Sequence, residues 1–257
     1  MSDISEIDVR LKLLRGKPLY AEGFGFIDPI KLGKIDDIGY STYVQYLNIL
    51  VLTIEDLGIH DEMVYELDSD EEKFQIHIFD IFVNSKFEEL TILFLNMLKF
   101  FLDVEVIEIN LEYQCLIIND DTNDVDDNKL KIINRSNYDN IKEIIILHNI
   151  YNDETKSKYN PANKKAQDII DKLNKAHDEI NKHKRNNNEN IEITFADIVS
   201  SVSTKSYHYN KHNIWDLTIY QLYDEYKRLN AIADFETNIM AIVHGAKIDL
   251  KHWSCKI

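Results

Sequence analysis

Hydrophobic and polar positions change period several times along the 257-residue chain, and each change predicts an element. Asp36 reads as the N-cap of a helix running to about Leu52, because Tyr40, Tyr43, Val44, Leu47, Leu50 and Val51 fall on one broad face. Residues 71–84 fit both periods. Phe74, Ile76 and Ile78 alternate, whereas Phe74, Ile78, Ile81 and Phe82 follow helical spacing, and helix is the favoured reading. The stretch from Phe87 to Leu102 predicts the main core helix, striped by Phe87, Leu90, Phe94, Met97, Leu98 and Phe101. Its other positions are mostly apolar too, so it is expected to be buried nearly all round. The period then drops to two. Val104, Val106, Ile107 and Ile109 predict one strand, Tyr113 to Ile118 a second and Leu130 to Ile133 a third. The polar run Asn119 to Asn128 suits a hairpin between the last two, and Ser136 can cap a helix reaching about Ile150.

The flanks differ in texture. Residues 1–35 hold four of the seven glycines and two of the three prolines, and the short runs Val9 to Leu14 and Phe24 to Ile30 predict strands and turns rather than helices. Residues 151–160 are polar and predict a linker. Asn160 and Pro161 then open a helix over 161–184, with seven basic residues against four acidic ones through Arg185. Ile169, Leu173 and Ile180 give it only a thin seam, as in a solvated arm or half of a partner-dependent pair. The run 185–190 predicts a mobile loop near 185–192, and a short helix follows from about Thr194 to Val202. In the last block Ile219, Leu222, Tyr226, Leu229 and Ala233 step by 3, 4, 3 and 4, and Ile232, Phe235, Ile239 and Ile242 by 3, 4 and 3. A break or bend near Asn230 to Asp234 would account for the change of phase, and Gly245 can end the helix. The expected fold is α+β: a unit over 1–150 with a small, mainly antiparallel sheet flanked by helices, then a mostly helical unit over 161–257.

Charge and composition narrow the chemistry. A formal charge of −16 argues against nucleic acid or an anionic membrane as the main partner. No glycine lies between Gly58 and Gly245, so that stretch holds no phosphate-cradling or dinucleotide loop. Cys115 and Cys255 are too few for a disulfide framework and lack metal-ligand spacing. The opening MSDISEIDVR has no apolar signal core, and the run Leu90 to Leu102 carries Lys99 and falls short of the roughly 20 residues a span needs. The acidic loop Asp120 to Asp127 lacks the glycine and distal glutamate of an EF-hand and reads as a solvated hairpin loop. His208 and His212 are four apart but have no clear third ligand, and His244 and His252 are read as ordinary turn residues. Glu71, Glu72, Glu88 and Glu89 are simplest as first-turn acids of helices. No nucleophile elbow, zinc helix or CxxC pair is present, so the expectation is no catalytic residue, no metal, no cofactor and no enzyme.

The remaining signal is aromatic. Tyr220, Tyr223 and Tyr226 lie on adjoining parts of one helix face, with Trp215 a turn earlier. Packing within the C-terminal unit accounts for them, and so does a partner surface, where Tyr and Trp concentrate. The blocks YNPANKKAQDIIDKLNKAHDEI, ITFADIVSSVSTKS, NIWDLTIYQLYDEYKRL and AKIDLKHWSCKI, with IDPIKLGKIDDIGYSTYVQYLNIL near the start, resemble proteins of Firmicutes bacteriophages and prophages encoded among tail genes. Those look like tail assembly chaperones or members of the baseplate hub and tape-measure assembly group. The resemblance implies a non-enzymatic protein of tail morphogenesis in the bacterial cytoplasm. Such a protein binds the tape-measure protein, keeps it soluble with other tail proteins, and is lost from the mature particle. Trp215, Asp216, Tyr220, Tyr223, Tyr226, Arg228 and Trp253 match the pattern; all but Asp216 are candidate client contacts, and homo-oligomerisation is compatible with the role. The rival readings are a baseplate or tail component retained in the virion tail, an acidic inhibitor of a host protein, and an enzyme without a recognisable motif.

Overall fold

The structure is a computed structural model that describes residues 6–57, 77–83, 88–118, 131–150 and 193–254. The sequence-predicted linker at 151–160, the charged helix at 161–184, the loop near 185–192 and the acidic loop at 119–128 lie outside the described residues. The fold is α+β, and the chain divides into two compact units. One takes its described residues from 17–30 and 34–149. The other takes 6–16, 31–33 and those from 150 onward, so its N-terminal part comes from the start of the chain.

In the first of these units a hairpin of β1 (Leu19–Ala21) and β2 (Gly25–Ile27) precedes α2 (Leu32–Ile38) and α3 (Tyr40–Val51), with α2 entering the unit at Lys34. Then come α4 (Ile78–Val83), α5 (Glu88–Leu102), an antiparallel sheet and α6 (Arg135–Asn149). The sheet has the order β3 (Ile107–Asn110), β4 (Cys115–Ile118), β5 (Lys131–Ile133). Its register sets Ile107 opposite Ile118 and Leu116 opposite Ile133, all buried, while Glu108 and Ile132 point outward on either side of Ile117. The expected hairpin between the second and third strands is therefore present. The core is aromatic. Phe94 stacks on Phe82 with ring centroids 4.2 Å apart, and Tyr138 of α6 lies 5.4 to 6.5 Å from Phe79, Phe94 and Phe82. Tyr43 of α3 reaches α5 through Phe101 at 6.2 Å, and its hydroxyl donates to Asn149 Oδ1.

Several boundaries differ from those expected. The segment read as a strand from Val9 to Leu14 lies in a helix, α1 (Glu6–Leu14), with Glu6 and Asp8 in its first turn and Lys12 in its last, where each suits the helix dipole. Asp36 caps nothing. It lies inside α2, and the break before α3 falls at Gly39, whose φ of 83° favours glycine although a Cβ there would meet nothing. Asn134, rather than Ser136, begins α6: its Oδ1 accepts from Ser136 N at 2.9 Å, and Asn137 Oδ1 accepts from Asn134 N at 2.9 Å. The α5 helix is not buried all round, since Ile92 is half exposed beside a fully buried Phe94.

Candidate functional site

The second unit is built on two helices with matching first-turn chemistry. In α7 (Phe195–Lys205) Thr194 and Asp197 form a reciprocal capping box, and in α8 (Ile219–Val243) Thr218 and Gln221 do the same. Gln221 also ties in the N-terminal helix, because its Nε2 donates to the Leu14 carbonyl at 2.9 Å. Gly16 makes this possible: its φ is 60°, and a Cβ there would approach that same Nε2 to 3.2 Å. Arg10 of α1 pairs with Asp224 at 3.8 Å, and Ser206, just after α7, donates to Glu225 at 2.8 Å. The first half of α8 is thereby covered. Ile219 and Leu222 are buried, and residues 220–229 are otherwise half-buried.

Beyond Asn230 exposure rises along the helix, and Asp234, Glu236, Ile239, Met240, Ile242 and Val243 are all exposed. The break expected between Asn230 and Asp234 does not occur; α8 runs unbroken for 25 residues. Gly245, at φ 94°, ends the helix as expected: its N–H meets the Ile242 carbonyl at 2.9 Å and Ala246 N–H meets Ala241 at 3.0 Å, the paired bonds of a Schellman turn. The tail then returns along α8. His252 lies 5.2 Å from the Phe235 ring, and Arg228 Nη1 donates to the Trp253 carbonyl at 2.8 Å. Seventeen helical residues separate Gly245 from Arg228 along about 25 Å of axis, a distance eight extended residues can span.

The sequence-predicted contacts scatter over this unit. Arg228 and Trp253 are brought together, and Trp253 stacks on His252 at 5.5 Å. Trp215 sits on the short 3-10 turn Ile214–Asp216, with its Nε1 donating to the Lys211 carbonyl and its neighbour Asp216 paired to Lys31 at 3.2 Å. Tyr220, Tyr223 and Tyr226 are half-buried on the covered half of α8. Strongly exposed apolar side chains of this unit lie elsewhere: Tyr207 at 99 %, Ile7 at 70 % and, together at the far end of α8, Met240 at 68 % and Val243 at 77 %, beside the partly covered Ile239, Ile242, Ile248 and Leu250. Sequence reasoning named the seam through Ile239 and Ile242 but missed Met240 and Val243, which lie off it. Their only signal was apolar character at positions the seam did not need.

The described residues hold few rival arrangements. His77 Nε2 lies 3.1 Å from Asp139 Oδ2, and that hydrogen bond holds the Asp139 carboxyl below its ordinary value. The other ring nitrogen accepts from Phe79 N–H, so both are engaged and the pair clamps the start of α4. His208 and His212 lie in a polar turn, their backbone N–H groups donating to Ser206 and Asn210 side chains. Among the described residues no His, Cys, Asp and Glu side chains group in threes that could hold a metal ion, and no helix is long and apolar enough to cross a membrane.

A family model described as the YomV second domain matches residues 181–257, a range that contains α7, α8 and the tail, and that family is associated with Bacillus phages and prophages. No curated protein and no solved structure matches the chain.

Proposed function

We propose that this chain is a non-enzymatic phage or prophage protein of tail morphogenesis, a chaperone that holds the apolar, helical tape-measure protein until the tail tube assembles around it. The observation that carries the reading is the uncovered apolar end of α8, where Met240 and Val243 stand in water within the segment that resembles a phage-associated domain. Exposed apolar surface costs a free protein solubility unless something is meant to cover it. The −16 charge of the chain offsets that cost by keeping copies and complexes dispersed. A helical client suits a face of this shape, since an amphipathic helix presents apolar residues at the same spacing. The half-buried tyrosines and Trp215 then act as the frame of the unit, while Trp253 and Arg228 hold the tail at the edge of the client face.

The test is capture from phage-producing cells with the full, N-terminally tagged chain, followed by mass spectrometry of the eluate and of purified particles. Tape-measure protein in the eluate, lost with the double variant Met240→Glu and Val243→Glu, and absence of this chain from particles are the expected results. Stoichiometric presence in particles makes it a structural tail component instead. A host protein as sole partner makes it an inhibitor.

A further inference from the structure

The same face has a second property, and the inference drawn from it rests on the client reading above. We infer that without client the distal half of α8 pairs antiparallel with the same half of a second copy, giving a two-fold dimer that covers the client face.

Three features converge on a second copy as the occupant. The first is area. Met240, Val243, Ile239, Ile242, Ile248 and Leu250 are each more than a third exposed, together on the order of 400 Å² of apolar surface, within the range of the largest patch a monomer leaves open. With a polar rim this approaches the roughly 800 Å² per partner of a standard interface.

The second is charge. The chain as a whole carries −16, yet residues 237–254 contain Lys247 and Lys251 against Asp249 alone, with His244 and His252 beside them. This is a region where two copies of an acidic chain can approach without mutual repulsion.

The third is self-complementarity. An isologous contact needs one patch to match itself after a two-fold rotation. In an antiparallel pairing centred between Met240 and Val243, Met240 meets Val243 of the second copy. Glu236, one turn before Met240, then faces the end that carries His244 and Lys247 of the second copy. Antiparallel helices also oppose their dipoles favourably. Ile239 and Ile242, each more than a third exposed, flank that contact on the same turns of the helix.

Sedimentation velocity of the full chain over about 1 to 100 µM, a range that brackets ordinary interface affinities, tests this directly. A concentration-dependent dimer is expected. The double variant Met240→Glu and Val243→Glu should weaken it by at least about 100-fold, with an unchanged circular dichroism spectrum, because it buries like charges at the two-fold axis. Glu236→Lys should also weaken the dimer, and adding Lys247→Glu should restore it. A wild-type chain that stays monomeric, a dimer that survives the double variant, or no rescue by Lys247→Glu overturns the inference. Client capture by the same variants separates the two readings. A monomeric wild type whose client capture is lost in the double variant overturns the dimer and leaves the chaperone. A dimer disrupted by the double variant while client capture persists overturns the chaperone face and leaves the dimer.

Discussion

Helices α5 and α8 carry comparable apolar stripes, yet they end in opposite situations. In α5, Phe94, Met97, Leu98 and Phe101 are all at most 1 % exposed, with Phe94 against rings of α4 and α6 and Phe101 against Tyr43 of α3. In α8 only Ile219 and Leu222 are buried among 25 residues, and the far end leaves Met240 and Val243 open. Apolar spacing tells a helix which face to hide. It does not say whether the chain supplies anything to hide it against. In α5 the surrounding unit does. In α8 the covering thins toward the far end, where the returning tail meets Phe235 and leaves Met240 and Val243 open.

The sharpest way to break this comparison is to cut the same kind of side chain from each helix. Phe94→Ala should destabilise by about 3–5 kcal/mol, the loss of a large buried ring plus the cavity it leaves. Met240→Ala should stay within about 0.5 kcal/mol, as an exposed position does. Urea unfolding of both variants measures the contrast, and equal losses would mean that the end of α8 is covered.

A smaller effect comes from the buried side of α6. His148 is 2 % exposed, and burial pushes its imidazole down to about 4 while a hydrogen bond with the Lys17 backbone pulls the other way. The sign follows from linkage. The unfolded chain, with an ordinary value near 6.5, binds the proton first as pH falls, so the neutral buried ring contributes full stability above about 6.5. Between about 6.5 and 4 that contribution drains away, by about 3 kcal/mol in all. Thermal unfolding across this window should show the loss, and His148→Phe should flatten it. No titratable group of comparable burial lies on the exposed half of α8, so variants there should leave the pH profile unchanged.

The smallest expected effect has the opposite sign. The Tyr138 hydroxyl is fully buried among aromatic rings and meets no hydrogen-bond partner among the described residues. Tyr138→Phe removes an unpaid desolvation and should raise stability by about 1 kcal/mol in the same urea assay. A loss instead would mean that the hydroxyl has a partner outside the described residues.

Much of the fold was legible in the sequence because local chemistry dictated it. The Phe94–Phe101 stripe, the change to period two after Leu102, the helix start near Thr194 and the left-handed Gly245 each depend on residues within one or two turns. The misreadings occurred where distant contacts or competing caps decided. The α1 helix has scattered apolar positions, with Ile7 and Leu11 exposed, and it is tied down by Asp224 and Gln221, more than 200 residues away. Ser136 fits a cap by type, but Asn134 takes that place two residues earlier, its Oδ1 accepting from the Ser136 N–H.

The candidate site divides the same way. The residue pattern alone predicted that α8 carries two apolar seams and that Gly245 stops it. It could not show that Tyr220, Tyr223 and Tyr226 lie on the covered half while Met240 and Val243 lie beyond it. Spacing specifies the faces of a helix, whereas coverage depends on where α1, α7 and the returning tail end in space. Only the tertiary structure made that decision.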